Sequence, residues 1–336
     1  MNQNLEKFWD KISIKKVDID KEHNFLFNVY DAKKDGIIFW TTILVIPMIS
    51  LFIFRFAFKM SDGGADWLPL VNQLFTIISA SIGGFVLYKR NTRLFVKSGL
   101  FIFYLFLIIP FVLSMFGSMI VSIIPGATFE DDLGIIKISG IGQIFTTWFQ
   151  IVGEIIVVLL AFKYTIDLKE RFINTFKNNW KLLIIIGVIG AAIMFLISFG
   201  YNEAASAITG NENISNNQSS LESGLSKDNP LAARIGYAIT LFILTVLVAP
   251  LAEELATRNA VFTGSGNRTV GLIVSLLYFG LIHMASGDVE NILGYILGGV
   301  VLSFLFVLVK GNTTYVWVVH MLNNLIAMII LLVGNF

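Results

Sequence analysis

The sequence predicts an all-α fold: a bundle of membrane-spanning helices. Three observations carry that reading. Of 336 residues, 56% are apolar and only 14% are charged, whereas a soluble domain carries about 25% charged residues. Apolar runs recur along the whole length, each about 20 residues long, which is what a bilayer core requires. Only six residues are proline, so long helices can run uninterrupted. The lipid bilayer is therefore the first expected partner. A net charge of +1 gives no reason to expect nucleic acid. With no cysteine in the chain, disulfides, thiolate metal sites and cysteine nucleophiles are excluded.

The first 35 residues carry seven Lys and seven Asp or Glu. They lack the apolar segment of a cleavable signal peptide. Leu5, Phe8, Trp9 and Ile12 recur at i, i+3, i+4 and i+7, which predicts a short amphipathic helix. Such a helix can lie on the membrane surface. The competing reading of residues 1–35 is a mobile cytoplasmic tail.

Nine spans follow, at about 36–58, 68–88, 99–124, 140–162, 182–200, 231–252, 269–286, 291–309 and 314–334. The count drops to eight if a short one does not cross. Lys and Arg gather in alternate loops, at 89–97, 163–181 and 258–268, while the intervening loops are acidic or polar. The positive-inside rule puts the amino terminus inside and the carboxyl terminus outside. Arg55 and Lys59, near the outer end of span one, run against this trend. The polar stretch 201–230, rich in Asn, Ser and Gly, reads as an extracytoplasmic loop. It divides a five-helix region, 36–200, from a four-helix core, 231–334. Gly294 and Gly298 form a GxxxG, read as a close helix–helix contact.

Ionisable groups inside spans are costly and are functional candidates by default. Of the three histidines, His23 lies in the tail, while His283 and His320 fall in spans. Glu253 and Glu254 close an apolar run. Arg258 follows Glu254 at i+4, Asn324 follows His320 at i+4, and Phe279 precedes His283 at the same spacing, so each pair shares a helix face. At about 1.5 Å rise per residue, with turns near 264–267 and 313, these groups fall within one layer of the inner half of the bilayer. Glu254 and Arg258 read as an internal ion pair, leaving Glu253 free. A carboxylate held away from water binds protons more tightly, so Glu253 has the chemistry to take a proton from water and return it to a leaving amine. His283 would orient that water, and His320 and Asn324 would donate to an oxyanion. Glu253, His283 and His320 also form a set that suits zinc, so the cofactor stays open between none and zinc.

Three ordered motifs carry a resemblance. Glu253-Glu254-Leu255-Ala256-Thr257-Arg258 is EExxxR, Phe279 to His283 is FxxxH, and His320 to Asn324 is HxxxN. On successive membrane helices this set resembles the CAAX-protease and bacteriocin-processing family, also called Abi, over about residues 231–334. The resemblance implies an intramembrane endopeptidase with a site opening toward the cytosol. It implies Glu253 as general base, His283 positioning water, His320 and Asn324 as the oxyanion site, Glu254 and Arg258 in support, and Phe279 against the substrate. Metalloprotease and glutamate-dependent chemistries are both argued for that family. Two departures stand out, Thr257 where Phe is common and Asn259 where Gly is common.

Neither HExxH nor GxGD is present. Glu154 stands alone in span four and is read as bonded to a neighbour such as Gln143 or Gln150 rather than lining a substrate path. The expected substrate is a peptide or a membrane protein, with spans one to five available to a membrane-protein partner. Lys, Asn, Ile and Phe richness suggests a bacterial cytoplasmic membrane, where peptide maturation or bacteriocin immunity would be the setting. Two other functions compete: a non-catalytic scaffold of the same fold that binds a membrane or envelope protein, and a transporter using buried Glu and His as proton relays.

Overall fold

Long apolar segments satisfy their own backbone groups as helices, the form a bilayer demands, and the computed structural model follows that rule. It describes residues 3–17, 30–65, 67–130, 136–209 and 216–336. Thirteen helices run in order as α1 Gln3–Ile12, α2 Ala32–Phe56, α3 Leu68–Arg90, α4 Thr92–Lys97, α5 Phe101–Val121, α6 Gly140–Tyr164, α7 Leu168–Asn178, α8 Trp180–Thr209, α9 Asn216–Glu222, α10 Leu231–Ser265, α11 Arg268–Ile282, α12 Ile292–Leu308 and α13 Thr313–Asn335. Among the described residues one antiparallel strand pair, β1 Thr128–Glu130 with β2 Ile136–Ile138, lies between α5 and α6.

Eight of these helices, α2, α3, α5, α6, α8, α10, α12 and α13, are long and apolar enough to cross a bilayer. The protein is thus a multi-pass helical membrane bundle. The ninth expected span, 269–286, is the exception. It is the 15-residue α11, about 22 Å long, against a hydrocarbon core of about 30 Å. It stops because residues 283–287 turn, with Gly287 at φ 94°. The polar stretch 201–230 is also less of a loop than expected. The helix of span five continues to Thr209, through Ala204 and Ala205, and α9 adds two further turns. Asn and Ser lower helix propensity by well under about 1 kcal/mol each, too little to stop a helix already built.

The first described stretch of the amino-terminal segment, residues 3–17, is docked on the bundle. Trp9 Nε1 donates to Thr269 Oγ1 at 3.0 Å, and Arg268 reaches Glu6 at 2.6 Å and Asp10 at 2.7 Å. Ile14 N donates to Leu308 O, and Val17 is fully buried. Of the apolar stripe of α1, Trp9 and Ile12 therefore pack against the ends of α11 and α12, while Leu5 and Phe8 stay exposed. His23 falls outside the described residues. Arg55, anomalous by charge, is paired with Glu290 beyond its own helix end, with Asp62 at 4.0 Å. Gly294 and Gly298 pack where foreseen: an added Cβ would meet Tyr201 and Met194 of α8.

α10 forms the axle of the bundle. Residues 254–267 are all buried, wrapped by α1, by residues 30–36, by α7 and by the 310–312 turn. The wrapping depends on close approach. A Cβ on Gly36 would lie 2.7 Å from Ser265 O, and one on Gly266, at φ 65°, would lie 2.4 Å from Tyr30 O.

Candidate active site

Pro250 offers no N–H to the α10 ladder, and the helix adapts by widening. Ile243–Val248 and Leu255–Ala260 are both π-helical and flank the α-helical Ala249–Glu254. Such widenings free backbone carbonyls and recur at functional sites. Here both are used. Asn324 Nδ2 donates to Thr245 O at 2.9 Å, and Ser275 Oγ donates to Thr257 O at 2.7 Å, with Ser303 Oγ donating on to Ser275 at 2.9 Å. The irregular stretch is thereby tied to α13, α11 and α12.

The polar groups converge where those widenings meet. Glu254 Oε2 lies 3.2 Å from Arg258 Nε, and both side chains are fully buried. Glu254 Oε1 lies 2.9 Å from His320 Nδ1. The tautomer with its proton on Nδ1 donates to this carboxylate. That fixes the ring and turns Nε2 toward Glu253, whose Oε2 stands 3.8 Å away. This gap is too long for a direct hydrogen bond and suits a bridging water. Phe279 supplies the apolar wall, with Arg258 4.4 Å from its ring centroid, His283 at 5.0 Å and His320 at 5.7 Å. His283 lies flat against Tyr295, with centroids 4.3 Å apart, and its Nε2 has no hydrogen-bond partner.

Thus Glu253, Glu254, Arg258 and His320 are brought into one cluster. Phe279 joins His283 to it through ring contacts, and Asn324 sits on the same face of α13 but bonded to the backbone of α10. Both departures from the family motif have partners. Thr257 Oγ1 donates to Glu253 O at 2.7 Å and accepts from Arg258. Asn259 Oδ1 accepts from Arg171 Nη2 at 3.4 Å. Two contributors had no signal in the motifs: Tyr295, an ordinary span aromatic, and the carbonyl of Thr245, freed by a backbone irregularity.

Glu253, His283, His320 and Phe279 line a cavity of about 1370 Å³. It runs toward Asn202, Glu222 and Asn335, the ends that the charge pattern places outside. The opposite end is closed by buried residues 254–267. The end covered by α1, α7 and the 310–312 turn is the one that the charge pattern assigns to the cytosol, whereas the resemblance implies a cytosolic opening. Fit to zinc is poor as well. Among the described residues no group of three His, Cys, Asp or Glu is placed to hold a metal, and His283 is stacked on Tyr295.

Residues 235–326 match the family of Rce1-like type II CAAX prenyl endopeptidases. The chain belongs to the CAAX-protease and bacteriocin-processing family, a family of intramembrane proteases. It is also 32% identical to an uncharacterized protein of Mycoplasma capricolum subsp. capricolum, over 99% of this chain and 98% of that one. This second likeness extends through spans one to five as well as the core. No solved structure matches the chain.

Proposed function

We propose that the chain is an intramembrane endopeptidase in which Glu253 activates water. The observation that carries this reading is the placement of Glu253: its residue lines the cavity, and its Oε2, buried and without a hydrogen-bond partner, stands 3.8 Å from the His320 nitrogen that Glu254 leaves free. A water held between them would lose one proton to Glu253 as its oxygen bonds to the scissile carbonyl carbon. The carbonyl electrons would move to oxygen, and that oxyanion would be met by His320 Nε2 in its protonated form. The second N–H of Asn324, whose first is given to Thr245, is a further donor. Collapse would break the C–N bond, and Glu253 would return its proton to the leaving amine. His283 Nε2, without a partner, is available to hold the water or a substrate carbonyl. Phe279 would press on the peptide.

The side chains present do not favour zinc, and no step is routed through it. The site fits peptides or membrane-protein segments, with residues 36–200 as the outer wall of the cavity. A bacterial cytoplasmic membrane with the amino terminus inside agrees with the charge pattern. The test is cleavage of a quenched library of apolar peptides by the purified full chain, wild type and His320→Ala, each with and without chelator. We expect cleavage by the wild type, unchanged by chelator, and a loss of about 10²-fold or more in His320→Ala, the scale of acid–base contributions. Cleavage abolished by chelator would overturn the metal-free route. No cleavage of any peptide by the folded wild type would favour the scaffold reading.

A further inference from the structure

A second intramembrane carboxylate, Glu154 of α6, takes no part in these steps. It is 3% exposed. Gln150 Nε2 donates to its Oε1 at 2.9 Å, while Oε2 is buried without a hydrogen-bond partner. Both residues line the same cavity as Glu253. The bland expectation, a bond to a neighbouring Gln, is therefore met by one oxygen and leaves the other buried without a partner, on a residue that lines the cavity.

Packing sets its level. By the charge pattern α6 and α10 both run from the outer side inward. Ile151 of α6 packs with Leu244 and Ala249 of α10. About one turn further along each helix stand Glu154, three residues after Ile151, and Glu253, four after Ala249. They thus lie level on neighbouring helices, close enough to interact electrostatically.

The cavity's charge is one-sided. Its lining includes Glu154, Glu222 and Glu253 but no Lys or Arg among the described residues. Of the guanidiniums beside it, Arg258 is fully buried and lies against the ring of Phe279, and Arg234 is bonded to the carbonyl of Asn335 at the outer end. A carboxylate on a substrate would meet carboxylates there. A bound cation would favour the ionised form of these carboxylates and be attracted to it, more strongly than in water because the walls are apolar. Rings of like charge select ions in pores on the same principle.

We infer that Glu154, braced by Gln150, is a subsite for a cationic group on an otherwise apolar peptide, held beside the bond that the water activated by Glu253 attacks. The group is an ammonium or guanidinium, from a Lys or Arg side chain or from a free amino terminus. The attacked bond rests on the endopeptidase reading; the binding does not.

Binding and cleavage are therefore read separately. Fluorescent apolar peptides, identical except for Lys, Arg or norleucine at one position, and either acetylated or free at the amino terminus, are titrated into the detergent-purified full chain. Anisotropy is read before turnover. The wild type should bind cationic peptides at least tenfold more tightly than neutral ones. Glu154→Gln should reduce that ratio to below threefold while neutral peptides bind as before. The free-amine and side-chain arms identify which cation is held. Should Glu154→Gln fail to fold, Glu154→Asp must lower the ratio by shortening the reach. Equal binding of charged and neutral peptides, or a preference that survives these variants, overturns the subsite. Selective binding without cleavage would keep the subsite and sink the endopeptidase reading; unselective binding with cleavage would do the reverse.

Discussion

Residues 36–200 and 231–334 are built from equally apolar helices, yet they bury different things. The contrast centres on α10, where half of the most apolar window is buried, against 22% both in α8 of the first region and in α13 of the second. The first region turns most of its apolar surface outward, toward lipid, and its buried polar groups are few. The second encloses an ion pair, a histidine and a serine chain. The difference shows where polar groups are affordable in a membrane. They sit on the helix with the most protein around it, and backbone irregularities supply their extra bonds. The outer region contributes walls and, through Glu154, one carboxylate.

Four perturbations would break or sharpen that contrast. The first is all-or-none and concerns sidedness. The chain has no cysteine, so single cysteines can be placed at the exposed Lys227 and Arg93. An impermeant maleimide added to intact cells should label Lys227→Cys and spare Arg93→Cys until lysis; the reverse pattern would invert the bundle. The second concerns the core pair. Arg258→Met leaves Glu254 buried with no cation, and breaking such a pair costs about 3–5 kcal/mol, read as loss of denaturant resistance in detergent. Adding Glu254→Gln to Arg258→Met should recover much of that loss.

The third lies at the rim between the regions. Arg171 is buried, and burial pulls its guanidinium down to about 10, still charged at neutral pH. It donates to Gly311 O at 3.0 Å and to Asn259. Arg171→Met should cost about 1–3 kcal/mol by leaving those acceptors unmet. The fourth is the surface counterpart of the core pair. Glu290 is half exposed where it meets Arg55, so Glu290→Gln should cost under about 1 kcal/mol. A loss as large as that of Arg258→Met would erase the distinction between the two pairs.

Much of this was legible beforehand because it follows from local chemistry. The turn at 264–267 is written in Gly264, Gly266 and Asn267, and the start of α13 in Asn312, which caps it by accepting from Thr314 N at 3.1 Å. The Glu254–Arg258 pair followed from its i+4 spacing alone. Other features depend on long-range partners and leave no local trace. The docking of α1 needs Thr269 and Arg268, some 260 residues away. The orientation of His320 depends on which nitrogen Glu254 takes. The shortness of α11 shows only once the turn at Gly287 is seen. Hydropathy could not reveal which way the cavity opens, because that is set by how α1, α7 and the 310–312 turn stack on the cytosolic side.

The most direct test of the central claim compares two carboxylates in one assay. Cleavage of an apolar peptide by Glu253→Gln and by Glu290→Gln is measured at equal folded fraction, confirmed by thermal unfolding. Glu253→Gln should lower kcat/KM by about 10²-fold or more, as removal of an acid–base group does, while Glu290→Gln, outside the cavity, stays within about twofold, a difference of under about 0.5 kcal/mol. Wild-type cleavage by folded Glu253→Gln would contradict the account and move the chemistry to another residue.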